Sequence, residues 1–481
     1  MNNKTEKILK LLDDINKVPR KSENMVPIHN YFRKWADDNN FSYKADDALN
    51  LAISVPASDG FEKSPVIILQ GHMDMVCEKI PESNHDFSRD PVVSFREGDW
   101  LKAKETSLGA DNAIALAMAM VIASDPEIKH PPLELLFTTD EEIGMGGAER
   151  IKPEFLKGKI LINLDSEETG VFTAGCAGSS RTCLDFKLKR ESVPAGSSAS
   201  LLKIGGFKGG HSAGDAAKSR ANGCFELIRG LSGLGKVIPF TLTSIDGGSA
   251  MNAIPRSAEA LIVFDAADGA KVKKWWKDFS DIVIKENSVV EKNAFLSCEE
   301  KALPADTMTL SSTGKVINSL RIMPNGIKNM DAALPDQIET SLNFAMIKMI
   351  TDGVRVTSMQ RSSVKSRLIE LTERIEDLAS LTGAEYKLEV FTDPWQPDWE
   401  SPLLKRSTEL WKKIHGEEPK VEITHGGLEC GVIGNICGGM DTLSFGPDIE
   451  NPHSPDERLK ISSVAKVFDF LVELLLSYRQ V

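Results

Sequence analysis

Residues 65–74 read PVIILQGHMD, an unbroken apolar run that ends on a histidine and an aspartate. The pattern recurs as LELLFTTDEE at 133–142 and ILINLDSEE at 160–168. Short continuous apolar runs suit strands buried on both faces, as in parallel sheets. Between the first two runs, residues 112–124 are apolar and long enough for a helix. Strands alternating with helices predict an α/β fold, a mixed and mostly parallel sheet with helices on both faces. In open sheets of this kind ligands bind beyond the carboxyl ends of the strands. Here three successive strands each deliver histidine or carboxylates to that end.

Outward from these runs, residues 5–16 and 462–477 carry apolar side chains at helical spacing, and 441–445 read as another short strand. The character changes at GCAGSS, residues 175–180. Amphipathic helices are expected at 217–231 and 364–381, with strands at 259–264 and 341–347 between them. The α/β character returns near DPWQP, residues 393–397. We therefore expect one domain built from 1–178 and 392–481, interrupted by an inserted α+β domain at 179–391. Such insertion is tolerated where the two chain crossings lie close together.

The composition narrows the function classes. A chain of 481 residues with 41% hydrophobic and 26% charged residues is an ordinary globular protein, not a disordered or fibrous one. With 57 Lys+Arg against 70 Asp+Glu, the net charge of −13 argues against nucleic-acid and anionic-membrane binding. The longest apolar run, 113–123, falls short of the ~20 residues that span a bilayer. The first residues, MNNKTEKILKLLDDINK, hold no secretory signal, and the 7 cysteines form no CxxC pair. A reduced, cytoplasmic enzyme is expected.

Five segments concentrate the chemistry. His72 and Asp74 follow the first strand; if His72 binds a metal through one ring nitrogen, Asp74 can hold the other. Asp111, in SLGADN, opens the apolar helix, where the commoner role of an aspartate is the N-cap, and on its own it reads as that. Asp140, Glu141 and Glu142 end the second strand, where three adjacent acids must be solvated, paired or bound to cations. Asp165 ends the third strand, and His453 lies in NPHSPDE, residues 451–457. Mixed imidazole and carboxylate donors suit Zn²⁺, with Mn²⁺ or Co²⁺ as substitutes. Two metals sharing a carboxylate would sit about 3.5–4 Å apart and activate one water between them. The residues alone leave open which carboxylate is shared.

GHMDMV, SLGADNAIAL, LFTTDEEIGMGGA, INLDSEE, GGHSAGD, GGSAMNAIPR, THGGLECG and GPDIENPHSPDERL occur in this order. The set resembles the bacterial aminoacyl-histidine dipeptidases (peptidase D), within the aminoacylase and carboxypeptidase group of di-zinc metallopeptidases. The resemblance runs from VPRKS at 18–22 to the C-terminus. It implies a zinc-exopeptidase fold in which the inserted domain is a lid. It implies two zinc ions per chain: His72 and Asp165 on one, Glu142 and His453 on the other, Asp111 bridging with a cis peptide bond after it. Asp74 would support His72, and Glu141 would be the general base. From the lid, His211 would polarise the scissile carbonyl, while Asn252 and Arg361 bind substrate, Arg361 by gripping a C-terminal carboxylate. His425 and Gly427 would form a substrate-side loop of the main domain; Glu429 could be mistaken for a ligand and reads as structural or as a support behind the ligands. The remaining histidines, 29, 85, 130 and 415, read as surface residues.

The implied activity is metal-dependent hydrolysis of small dipeptides, of the Xaa-His (carnosine-like) class. A broader dipeptidase, a tripeptidase or an N-acyl amino acid deacylase is the alternative. No nucleic-acid or membrane partner is expected. The insertion is long enough to support a homodimer or to wall off the site within one chain, and both stay open.

Overall fold

The computed structural model describes residues 3–479, which divide into two compact units. Of these residues the first comprises 3–176, 395–424 and 428–479; the second comprises Ala177–Pro394 and His425–Gly427. The two chain crossings are neighbours, because Cys176 and Trp395 exchange backbone hydrogen bonds of 2.9 and 3.1 Å. His425–Gly427, expected in the main domain, cluster instead with the second unit. The cause is local: the His425 ring meets the Ser341 hydroxyl at 2.7 Å and its carbonyl accepts from Arg361 at 3.5 Å.

The first unit is built on an eight-stranded mixed sheet. Its order is Ser42–Ala45, Leu51–Val55, Leu133–Thr138, Ile67–His72, Ile160–Asn163, Asp441–Ser444, Val171–Cys176, Lys420–Thr424. The four central strands run parallel, and antiparallel pairings lie to either side of them. The period of two explains why continuous apolar runs work here. Ile67, Leu69, Leu133, Leu135 and Ile162 face one core, shared with helices Asn3–Ile15, Ala110–Ser124, Pro402–His415 and Ile461–Leu476. Ile68, Leu136 and Leu161 face a smaller core against the short helix Glu429–Ile436 and the turns at 148–156. Both faces are therefore covered, one far more heavily. Ala110–Ser124 is apolar all round and buried along nearly its whole length, as a central helix must be.

Two readings are corrected. His29 and His130 are not surface residues; they are 4% and 5% exposed. In each ring Nδ1 bonds a backbone carbonyl, of Leu49 at 2.9 Å and of Pro131 at 2.8 Å, which gives the buried imidazole a polar partner.

The second unit is a nine-stranded sheet with helices Gly223–Leu234, Gly269–Asn287, Leu310–Ile322 and Lys365–Thr382. Every strand pairing in it is antiparallel. Leu227, Ile228, Trp276, Val316 and Leu371 fill the core against Leu202, Ile262, Phe344 and Val354. The helix expected at 217–231 begins only at Gly223, because the Asn222 side chain accepts from the Phe225 amide and sets the cap there. Among the described residues no helix is long and apolar enough to cross a membrane.

Candidate metal centre

The C-terminal ends of strands Ile67–His72, Leu133–Thr138 and Ile160–Asn163 meet the start of helix Ala110–Ser124. Asn112 ties this junction together. Its side chain accepts from the His72 amide at 3.3 Å and donates to the Leu164 carbonyl at 3.0 Å. Gly71 allows the approach, since a Cβ there would lie 2.3 Å from the Asn112 oxygen. The Asp111–Asn112 peptide bond is cis.

Asp111 is not the helix cap. The Glu457 carboxylate takes that role, accepting from the amides of Leu108, Gly109, Ala110 and Asp111 at 2.8, 2.9, 2.8 and 3.3 Å. The Asp111 side chain is freed to point elsewhere. Its Oδ1 lies 3.0 Å from His72 Nε2, and its Oδ2 lies 3.1 Å from His453 Nε2. His72 Nε2 is also 3.4 Å from Asp165 Oδ1, and His453 Nε2 is 3.0 Å from Glu142 Oε2. Two donor groups result, His72/Asp111/Asp165 and Asp111/Glu142/His453, and Asp111 belongs to both. A third, His72/Glu141/Glu142, places Glu141 beside the pair.

Asp74 is fully buried and acts on both sides of the junction. The His72 Nδ1 lies 3.2 Å from its carbonyl and 3.5 Å from its carboxylate, so the backbone oxygen is the nearer partner. A proton held there leaves Nε2 free as a donor atom. The Asp74 carboxylate accepts from the amides of Glu141 and Glu142 at 3.1 and 3.2 Å, and from Ser22 Oγ at 2.8 Å. It thereby sets the turn that presents both glutamates. Asp140, in the left-handed region with φ 54°, leaves the cluster and accepts from the Glu23 amide at 2.6 Å.

The electrostatics fit divalent cations. Burial alone would strip the charge from His72, yet Asp165, Asp111 and Asp74 outweigh it and raise its pKa well above the usual value. Hydrogen bonds to Asp111 and Glu142 raise His453 to about 11. Burial raises Asp165 to about 6 and pushes Glu141 well up, with neighbouring acids adding to both. The acids thus outnumber the cations facing them. Glu142 Oε1 and Asp165 Oδ1 are buried without a hydrogen-bond partner. A bound cation would satisfy those oxygens and invert the local pKa order.

Beneath the site, Glu429 is fully buried and accepts from Gln70 Nε2 at 2.6 Å and Thr138 Oγ1 at 2.7 Å. It is structural. Gln70, Ser22, Asn112 and Glu457 carry the junction and were not singled out by sequence. Each lies in a stretch the sequence marks, Ser22 in VPRKS, Gln70 in PVIILQGHMD, Asn112 in SLGADN and Glu457 in NPHSPDE, but nothing local assigns them this role.

The second unit gathers the other expected residues into a separate group. His211 pairs with Ala253 in a short two-stranded ladder, and Ser212 donates to the Asn252 carbonyl at 2.7 Å. Arg361 is 7% exposed on strand Gly353–Ser362. Burial and the Arg361 cation lower the His211 pKa. They push His425 down to about 3, from the ordinary 6.5. Gly427 is exposed in the loop before helix Glu429–Ile436.

The His425 shift fixes a pH dependence. Between its folded and unfolded values the unfolded chain takes up a proton that the folded one refuses, so stability falls as pH drops from 6.5 towards 3. Lowering pH from about 7.5 to about 5 should therefore cost wild type about 1–2 kcal/mol more than His425→Gln. Calorimetric unfolding of both proteins at the two pH values checks this; equal losses would contradict it.

The chain matches the profile of Peptidase family M20/M25/M40 over residues 68–477. It is 36% identical over 459 residues to the cytosol non-specific dipeptidase of Escherichia coli (strain K12), covering 95% of this chain and 94% of the relative. The crystal structure of aminoacylhistidine dipeptidase from Vibrio alginolyticus superposes with a TM-score of 0.90 at 34% identity, covering 98% of this chain and 96% of that one. The aminopeptidase PepT of Bacillus cereus ATCC 10987 shares the fold at a TM-score of 0.57 and 14% identity, covering 99% of both chains. The matched span contains every residue of the strand-end cluster, and the relatives extend the likeness to almost the whole chain: it belongs to peptidase family M20/M25/M40.

Proposed function

We propose that the protein is a dinuclear metallo-dipeptidase that hydrolyses unblocked dipeptides, Xaa-His among them, with zinc as its metal and Mn²⁺ or Co²⁺ as substitutes. The observation that carries this reading is the Asp111 carboxylate, whose two oxygens face two different histidines at 3.0 and 3.1 Å. His72 and Asp165 would hold one ion, and Glu142 and His453 the other. When bound, such ions supply Lewis-acid charge and lower the pKa of a coordinated water towards about 7. Glu141 then takes the proton from the attacking water and delivers it to the leaving amine nitrogen. Asp74 fixes His72 from behind and presents Glu141 through its amide.

On the substrate side, Arg361 would grip the free α-carboxylate, with Asn252, His425 and Gly427 lining the same subsite. His211, held neutral, would donate to the carbonyl oxygen as charge develops there. The relative named a non-specific dipeptidase favours a broad dipeptide range, and the one named for aminoacylhistidine favours the Xaa-His class within it. A cytosolic location is proposed on the first of these names. Self-association through the second unit is proposed on its exposed apolar side chains, such as Leu381 and Ile322, 83% and 67% exposed.

Kinetics on matched free, C-terminally amidated and N-acylated dipeptides test the assignment. Amidation removes the charge that pairs with Arg361 and should cost about 2–5 kcal/mol in kcat/KM. Arg361→Ala should erase that discrimination. Arg361→Lys should recover part of it, because one ammonium lacks the bidentate fork. Equal turnover of free and amidated substrates would overturn the carboxylate grip, and preference for acylated substrates would favour the deacylase reading.

A further inference from the structure

The segment that carries Asp111 is held by side chains rather than by regular structure. On its N–H side, one buried carboxylate, Glu457, collects four successive amides from Leu108 to Asp111. On its carbonyl side stands Arg20, a buried arginine, 2% exposed. Its Nη2 donates to the Gly109 carbonyl at 2.5 Å and to Asn16 Oδ1 at 3.0 Å. Asn16 in turn donates to the Leu108 carbonyl at 3.0 Å. The same guanidinium reaches the strand end that carries His72, for its Nη1 donates to the carbonyls of Met73 and Asp74 at 3.3 and 2.9 Å.

Gly109 shows that the approach is specific. It has φ +67°, and a Cβ there would lie 2.2 Å from Arg20 Nη2. A side chain at this position would push the guanidinium off the carbonyl.

We propose that Arg20 and Glu457 are positioning residues of the metal centre: a cation and an anion that clamp residues 108–111 from opposite sides and fix the shared carboxylate against His72 and His453. A buried charge is costly unless it is hydrogen-bonded: Glu457 spends its bonds on four backbone amides, and Arg20 spends its Nη bonds on three backbone carbonyls and Asn16 Oδ1, while its Nε is buried without a hydrogen-bond partner. Neither side chain belongs to any of the three donor groups. Lysine at position 20 could not reach the carbonyls of Met73, Asp74 and Gly109 together. Glutamine at position 457 would turn an N–H donor towards backbone N–H groups.

The inference rests on the dinuclear reading, and the test separates the two. Apo wild type, Arg20→Lys, Glu457→Gln and the core variant Leu475→Ala are titrated with Zn²⁺ against a fluorescent chelator. Circular dichroism and Tm are recorded on the same apo samples, and visible absorption on Co²⁺-loaded ones. Wild type should bind two ions. Both clamp variants should keep a cooperative apo transition yet bind zinc about 10–100-fold more weakly, with altered Co²⁺ bands. Leu475→Ala should lose Tm without losing affinity. Should a charge variant fail to fold, Asn16→Ala removes one brace and leaves both charges, and should weaken zinc binding by a smaller factor. Folded variants with wild-type affinity and Co²⁺ spectra would overturn the clamp alone. Equal weakening in Leu475→Ala would reduce it to general stability. A wild type that binds fewer than two ions would overturn the dinuclear reading, and the clamp with it.

Discussion

Glu141→Gln should lower kcat by about 10²–10⁴-fold, the usual contribution of a positioned general base. Its metal content should stay at the wild-type level. Glu141 belongs to neither of the two donor groups that share Asp111, and its backbone amide, not its side chain, is what Asp74 holds at 3.1 Å. Glutamine keeps the shape and hydrogen-bonding reach but cannot accept and return a proton. The adjacent Glu142→Gln is the control, since Glu142 Oε2 sits 3.0 Å from His453 and its other oxygen is buried without a hydrogen-bond partner. That variant should lose metal before it loses chemistry. Stopped-flow or steady-state rates alongside elemental analysis of both proteins decide the matter. A Glu141→Gln enzyme with near wild-type kcat, or one that loses its metal, would show that the two glutamates have been assigned the wrong way round.

The parts of this architecture that were legible in the sequence are those written in local pattern. Apolar runs ending in His72, Glu142 and Asp165 mark buried strands with ligands at one end, because both the burial and the ligands fall within a few consecutive residues. The helix that Asp111 opens was legible for the same reason. What was not legible depends on contacts between distant segments. Asp111 on its own reads as a cap, and only Glu457, 346 residues away, shows that the helix N-terminus is occupied by another carboxylate. Nothing in the sequence neighbours of Arg20 reports that it is buried against Met73, Asp74 and Gly109. His29 and His130 read as surface residues because their neighbours are polar, but each is buried with a backbone carbonyl as partner. His425 adjoins a main-domain strand in sequence, yet Ser341 and Arg361 draw it into the other unit.

Asp111→Asn should disable both metal sites at once, because one side chain serves both donor groups. An amide offers one oxygen where the carboxylate offers two, so at most one ion keeps its ligand. Zinc content should fall from about two per chain to one or fewer, and turnover at least as far as in Glu141→Gln, about 10²–10⁴-fold. His72→Ala and His453→Ala, each confined to a single group, should each spare the other ion more than Asp111→Asn spares either.

The most direct test is anomalous diffraction at the zinc edge from crystals of the zinc-loaded enzyme. The account predicts two peaks about 3.5–4 Å apart, with Asp111 between them, His72 and Asp165 on one and Glu142 and His453 on the other. A single peak, or a pair in which Asp111 touches only one ion, would contradict it.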